Sequence, residues 1–269
     1  MEVHSHTHTP RKKWTHYFWE FLMLFLAVTL GFFVENQREH YIEKQRAKQY
    51  ARLLADDLTF DIAELNRSER VLNKIIEAGD SLGRLLSIDE VKNIPGGKLY
   101  YYEYWSGWRW SIISRDATLQ QLKSSGSLRY IHNTALVRKI LGYEESVRVI
   151  YMLQNKYEPE KSENWKMVQK VFFQEYFNIL DNDPELTRDS TAKNFDAGSH
   201  QLNKFITTNY PLYSYDRNML FELRNWAYNS SRNYRVILRD IISMRTKAHE
   251  VIEGLKKEYH LSERIPLEE

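Results

Sequence analysis

The chain has 269 residues, no cysteine, 38 Lys+Arg against 36 Asp+Glu, and an aromatic share of 14%. Charges that nearly cancel exclude a whole-chain electrostatic footprint for nucleic acid, and the missing cysteine excludes disulfides, thiol catalysis and Cys-ligated zinc. With 10 Gly and 6 Pro, the composition points away from all-β or loop-rich folds and toward long helices.

Residues 1–16, MEVHSHTHTPRKKWTH, read as a solvated cytoplasmic tail. His4, His6 and His8 alternate with polar residues, but no carboxylate is fixed beside them to complete a metal site. Tyr17 to Val34, YFWEFLMLFLAVTLGFFV, then runs for eighteen residues with Glu20 as its single charge. As a helix it spans roughly 27 Å, close to the ~30 Å hydrocarbon core of a bilayer. No small-x-small site follows it; the run ends GFFVENQREH, so an uncleaved anchor is expected rather than a signal peptide. Glu20 lies one turn from the start, within reach of the headgroups. Arg11, Lys12 and Lys13 abut the run, whereas Arg38, Lys44, Arg46 and Lys48 are spread beyond it. That density places the N-terminus in the cytoplasm and residues 35–269 in the periplasm of a bacterial inner-membrane protein.

Beyond the span, Ala51, Ala55, Leu58, Ile62, Leu65, Leu72 and Ile76 fall on alternating four- and three-residue steps, broken by Glu69. Such a stripe predicts a helix burying one face against partners. A middle helix is expected to start at the cap Asn133 and to bury Leu136, Ile140, Tyr143, Val147 and Ile150. Its phase then slips, Pro159 predicts a kink or break, and the stripe resumes on Trp165, Val168, Phe172 and Ile179. The C-terminal helix carries the longest pattern: Leu220, Leu223, Ala227, Ser230, Tyr234, Ile237, Ile241, Met244, Ala248, Val251 and Leu255, capped by Asp216. The expected fold is all-α: a single transmembrane helix continuing into an elongated antiparallel bundle of about three long helices.

Two connections interrupt this scheme. Residues 87–132 form an irregular, aromatic-rich insertion. Pro95-Gly96-Gly97 marks a turn, and LYYYEYWSGWRW places seven Tyr or Trp between Tyr100 and Trp110. Ser106-Gly107 is able to turn a hairpin, though Tyr101, Trp105, Trp108 and Ile112 also fit a helical face. Tyr102, Trp105, Trp108, Arg109 and Trp110 are the candidate partner or ligand surface, set against a plain packing role for the same rings. Asp116 is expected to cap a short helix, ATLQQLKSS, that Gly126 closes. Lys123 and Arg129 are a candidate anion pair around Gly126, or simply part of a corner. Residues 181–215 form a polar connection whose Phe205, Tyr210, Tyr213 and Tyr215 are placed to touch headgroups if it returns to the membrane.

The segment Thr118-x-Gln120-Gln121-Leu122-Lys123-Ser124-Ser125-Gly126-x-Leu128-Arg129-x-Ile131 resembles one that recurs in a group of uncharacterised bacterial membrane proteins. Their N-terminal span, a boundary like Glu35-Asn36-Gln37-Arg38-Glu39 and an acidic pair like Asp56-Asp57 are similar too. The resemblance covers roughly residues 20–145 and implies a shared architecture, without an activity.

Catalytic motifs are thin. His249-Glu250 begins HEVIE, without the second His of a zinc-protease helix. Asp57, Asp61 and Glu64 share a helix face, but no Glu-x-x-His pair answers them, so they read as acids facing water. No Walker A loop, Rossmann fingerprint or G-x-S-x-G elbow is present. The expectation is a membrane-anchored, non-catalytic structural or interaction protein with no cofactor, no metal and no nucleic acid. Its partners are the lipid bilayer and other envelope proteins or copies of itself. The alternative is a sensory or ligand-binding module using segment 100–110 as a pocket.

Overall fold

The computed structural model describes residues 14–182 and 200–261, and their regular structure is entirely helical. The helices are α1 (Trp14–Leu85), α2 (Gly96–Ser106), α3 (Ala117–Ser124), α4 (Thr134–Val171), α5 (Gln174–Asp181), α6 (His200–Thr207) and α7 (Arg217–Tyr259), with 3-10 turns at Val91–Asn93 and Ser127–Tyr130. His4, His6, His8 and the Arg11-Lys12-Lys13 run lie outside the described residues, as does part of the 181–215 connection. The chain divides into two units, Met1–Tyr50 and Ala51–Glu269.

In the first unit, α1 contains a stretch long and apolar enough to cross a membrane, and none of it is buried. Phe21, Leu24, Phe25, Phe32 and Phe33 are all more than half exposed. A core helix of a soluble protein hides such side chains, so this stretch does not serve as core for the chain itself. Glu20 lies 3.3 Å from His16 one turn earlier.

The second unit is organised by three long helical segments. From Ala51 onward, α1 buries Ala51, Leu54, Leu58, Asp61, Leu65, Ser68, Leu72 and Ile75. This three–four register differs from the expected stripe: Leu54, Asp61, Ser68 and Ile75 occupy the centre, while Ala55 and Ile62 flank it, half-buried. Glu69, the apparent break, sits beside the seam and binds Arg245 of α7, whose other contact is Asn66 at 2.6 Å. The α7 pattern matches the expected positions except that Ser231 is buried in place of Ser230, and its hydroxyl donates to the Ile76 carbonyl at 3.2 Å. Asp216 caps α7 by accepting from the Met219 N–H at 3.0 Å, and Asn133 caps α4 through the Leu136 N–H at 3.1 Å.

Helix α4 does not break at Pro159. Its assignment runs unbroken from Thr134 to Val171, and the first break comes at Phe172, whose backbone is extended. The burial register also survives. Counting on from Leu136 in four–three steps leads to Asn164, Val168 and Val171, all buried, whereas Trp165 and Ile179 are exposed. Asn164 thus occupies the seam position that the expected stripe assigned to Trp165.

Cross-helix contacts fix directions. Asp80 pairs with Arg235 and Glu69 with Arg245, so α7 runs antiparallel to the outer part of α1. Asn133 donates to Glu258 at 2.8 Å and Lys247 to Ser146 at 2.7 Å, so α7 is antiparallel to α4 as well. It follows that α1 and α4 run parallel, and the chain between them must travel back along both. Residues 108–115, outside regular structure, do this: Tyr234 donates to the Trp108 carbonyl at 3.2 Å, and Ser114 lies against Asp61. The expected irregular insertion is therefore two helices, α2 and α3, joined by this return segment, with no hairpin at Ser106-Gly107.

The corner after α3 is built on Gly126, at φ 67°, which a residue with a Cβ adopts at a cost. Asp116 precedes α3 without capping it through its side chain; it accepts from Gln120 instead, at 3.3 Å. Lys123 binds Glu144 of α4, and the Arg129 guanidinium lies 5.2 Å from the centre of the Tyr130 ring.

Candidate functional site

Helix α2 begins where Pro95 ends the preceding loop, and the two glycines that follow allow it to lie against backbone from the α6 region. The Gly97 N–H donates to the Thr208 carbonyl at 3.0 Å. This closeness seats the aromatic run in the core. Tyr100 is fully buried, donates to the Pro211 carbonyl at 2.9 Å and accepts from the Phe173 N–H at 3.0 Å. Its ring meets Phe172, Tyr176 and Phe177 edge-on at 4.9–5.3 Å, an arrangement that aromatic quadrupoles favour. Burial pushes the Tyr100 hydroxyl well above its ordinary pKa, keeping it a neutral donor.

The next turn of α2 opens onto a cavity of about 410 Å³, within the range of small-ligand sites. Its walls are Tyr104, Trp108, Trp165, Phe177 and Trp226, and its polar groups are Glu103, Asn164, Arg109 and Asp181. Glu103 is 3% exposed, and loss of hydration raises its carboxyl pKa to about 8, with bonds from Asn164 and Ser106 opposing the shift only in part. Near neutral pH it is a carboxylic acid. Asn164 Nδ2 donates to Oε1 at 3.3 Å, and Ser106 Oγ lies 3.3 Å from Oε2 and 3.2 Å from the Glu103 carbonyl. A hydroxyl has one proton. With that proton on the carbonyl, Ser106 Oγ accepts from the protonated acid, and both groups are satisfied. Asn164 Oδ1 is left buried with no hydrogen-bond partner. Such an acceptor costs about 1–3 kcal/mol unless something supplies a donor. At the mouth, Asp181 bonds the Tyr104 hydroxyl, and burial followed by that negative charge raises the pKa of Tyr104.

Of the residues expected at a surface, Trp108 and Arg109 line the cavity. Trp105 is buried beneath them, with its ring 5.3 Å from Trp108. Tyr102 is half-buried and packs edge-on against Tyr101 at 5.5 Å. Trp110 is 8% exposed and borders a separate depression with Gln154, Tyr157 and Tyr234. The expected five-residue patch therefore divides between core and cavity. Glu103, Asn164, Asp181 and Trp226 were not anticipated. Their signals were an acid inside an aromatic run and a polar residue on the α4 seam. Phe205 and Tyr210 pack ring to ring at 4.9 Å, with Phe205 buried, so these two are core rings and Tyr213 is the exposed one.

A second polar cluster overturns the reading of Asp61 as a solvated acid. At 1% exposure, Asp61 accepts from Ser114 Oγ at 2.5 Å, the Arg115 N–H at 2.8 Å and the Tyr143 hydroxyl at 2.5 Å. Burial and the neighbouring carboxylate raise the Tyr143 pKa, so it stays a donor. The Arg115 guanidinium rests 3.5 Å from the centre of the Phe60 ring, and the Ser114 N–H donates to Tyr151 at 3.0 Å. The bonds from Ser114 and Arg115 fasten the return segment to α1, and the one from Tyr143 ties α4 to α1, which is a structural role. Asp61→Asn sets an amide N–H₂ against one of these donors and is expected to lower stability by about 2 kcal/mol; a denaturant titration with unchanged midpoint would refute this. No cluster able to hold a metal ion is found among the described residues.

Searches found no matching family model, no matching curated protein and no matching solved structure.

Proposed function

We propose that this chain is a single-pass protein of a bacterial inner membrane that presents its helical domain as a non-catalytic interaction module. The supporting observation is the apolar stretch within Trp14–Leu85, none of which is buried; lipid is the surrounding that removes this cost. The positive charge density of the tail favours a cytoplasmic N-terminus and a periplasmic domain. The partners on this reading are other envelope proteins or further copies of the chain. Full-length protein is expected to stay in the pellet after alkaline carbonate washing. A reporter fused after Glu269 is expected to be active only when it needs the periplasm; activity confined to the cytoplasm would reverse the orientation. Extraction in mild detergent followed by mass spectrometry should recover a specific partner or an oligomer. A lone monomer would remove the scaffold reading.

One observation favours the second reading, a ligand-binding domain on the same anchor. It is the cavity of about 410 Å³ beside α2, lined by Tyr104, Trp108, Trp165, Phe177 and Trp226.

A further inference from the structure

Three carboxyl groups are buried among the described residues, and they are held in different ways. Asp61 accepts from three donors at 2.5–2.8 Å, and Glu144 pairs with Lys123. Glu103, 3% exposed, makes no ion pair among the described residues; its contacts are Asn164 Nδ2 and Ser106 Oγ, each at 3.3 Å. A carboxylate removed from water without a cation or close donors is strongly disfavoured, so this site suits the neutral acid.

Glu103 also sits between two fixed points. Tyr100, one turn earlier, is bonded to the Pro211 carbonyl and the Phe173 N–H. On the other side α2 ends at Ser106, and residues 108–115 lie outside regular structure until Ser114 and Arg115 bond Asp61. Between these points Glu103, Tyr104, Gly107, Trp108 and Arg109 form one wall of the cavity of about 410 Å³. The end of the helix rests on Glu103 itself: the Gly107 N–H donates to its carbonyl at 2.8 Å, and its carboxyl meets Ser106 and Asn164 of α4. The charged or titratable groups that line the same cavity are Tyr104 of α2, Arg109 of the return segment and Asp181 of α5. Helix α4 presents Asn164 and Trp165 there and α7 presents Trp226, none of which titrates. Helix α6 bonds α2 at its other end, where the Gly97 N–H meets the Thr208 carbonyl.

We propose that Glu103 is a proton-dependent latch on the end of α2: neutral, it holds residues 106–109 closed against α4, and ionised, it favours an open form in which water reaches the cavity floor. Tyr100 and Asp61 hold the chain on either side, so the opening is local and leaves the long helices packed. The latch stands whether or not the cavity takes a ligand. In the open form the carboxyl is hydrated and titrates near 4.5, against about 8 when closed. The opening equilibrium therefore grows ten-fold per pH unit between these values and levels off once the closed form ionises too.

The experiment is hydrogen exchange by mass spectrometry on full-length protein in lipid nanodiscs, at pH 6 and pH 8, with and without 1 M urea. Rates are expressed as protection relative to unstructured chain at the same pH. From pH 6 to pH 8, residues 106–109 are expected to lose about fifty-fold more protection in the parent than in Glu103→Gln, since the ten-fold steps taper near pH 8. Urea should leave that loss unchanged, because a local opening exposes little surface. A peptide around Ile241, which is fully buried in α7, should stay better protected and respond to urea. Glu103→Met, also uncharged and of similar length, is expected to follow Glu103→Gln. The same pH trend in the parent and in either variant would overturn the latch. Exchange of residues 106–109 in step with the Ile241 peptide, with the same response to urea, would also overturn it, since the acid would then ionise only when the whole domain unfolds.

Discussion

Gly97→Ala is expected to destabilise the helical domain by about 3 kcal/mol, the upper part of the range for overpacking a close contact. The reason lies in what the new methyl group meets. A Cβ at Gly97 would stand 1.9 Å from the Phe205 carbonyl oxygen and 3.0 Å from that of Thr208, and one at Gly96 would stand 1.7 Å from that of Tyr210. These are backbone atoms at and just beyond the end of α6, with no rotamer to move into. Helix α2 must therefore retreat, giving up the bond from the Gly97 N–H to Thr208 and drawing Tyr100 away from Pro211 and Phe173. Gly142→Ala provides the control. It lies in α4 with nothing within 4 Å of its added Cβ, so the gain in helix propensity, about 0.5–1 kcal/mol, is unopposed. Urea denaturation of the two variants should move in opposite directions. A Gly97→Ala midpoint at or above that of the parent protein would show that α2 and the α6 region are not in backbone contact.

The contrast between these glycines shows where the sequence was readable. Periodicity located α7 almost residue for residue, because its seam from Leu220 to Leu255 is apolar except at one turn. Caps with a short side chain before an apolar run, Asp216 and Asn133, were equally legible, since the bond they make is local. What failed was long-range. In α1 the apolar letters Ala55 and Ile62 drew the stripe toward one flank, because Asp61 and Ser68 hold seam positions that apolar periodicity discounts. In α4 the letters Gln154, Tyr157 and Lys161 looked like a slipped phase, although Asn164 lies on an unbroken count from Leu136. Buried polar residues are invisible to a hydrophobic pattern, and two of them meet partners from distant elements: Ser114 and Tyr143 for Asp61, Glu103 for Asn164. The parallel course of α1 and α4 was hidden for the same reason. It depends on residues 108–115 returning along both helices, and the bonds that hold them reach across more than fifty positions of sequence. The cavity was half legible: the aromatic run indicated Trp108 and Arg109, but Asn164, Asp181 and Trp226 join them only through packing.

The acid at the centre of that cavity leads to the second large expectation: stability falls as pH rises from the acidic range toward about 8, and Glu103→Gln abolishes this part of the fall. Burial pushes the Glu103 carboxyl up to about 8 in the folded chain, from an ordinary value of 4.5. Below the lower value both folded and unfolded chains carry the proton, and the group contributes no pH dependence. Between the two values the folded chain keeps a proton that the unfolded chain has released, so each rise of one pH unit costs about 1.4 kcal/mol of unfolding free energy. Above about 8 both states are ionised and the loss levels off, with a carboxylate confined among Asn164, Ser106 and aromatic rings. Glutamine reproduces the neutral acid: its amide N–H₂ can donate to Ser106 and its carbonyl oxygen can accept from Asn164. Denaturant titrations of both proteins at pH 5, 7 and 9 isolate the effect, because every other group titrates alike in the two. The difference in unfolding free energy should grow in favour of Glu103→Gln from pH 5 to pH 7, grow again toward pH 8, and hold beyond it. A difference that is constant over this range would mean that Glu103 is hydrated in the folded chain, and that the floor of the cavity is open to water.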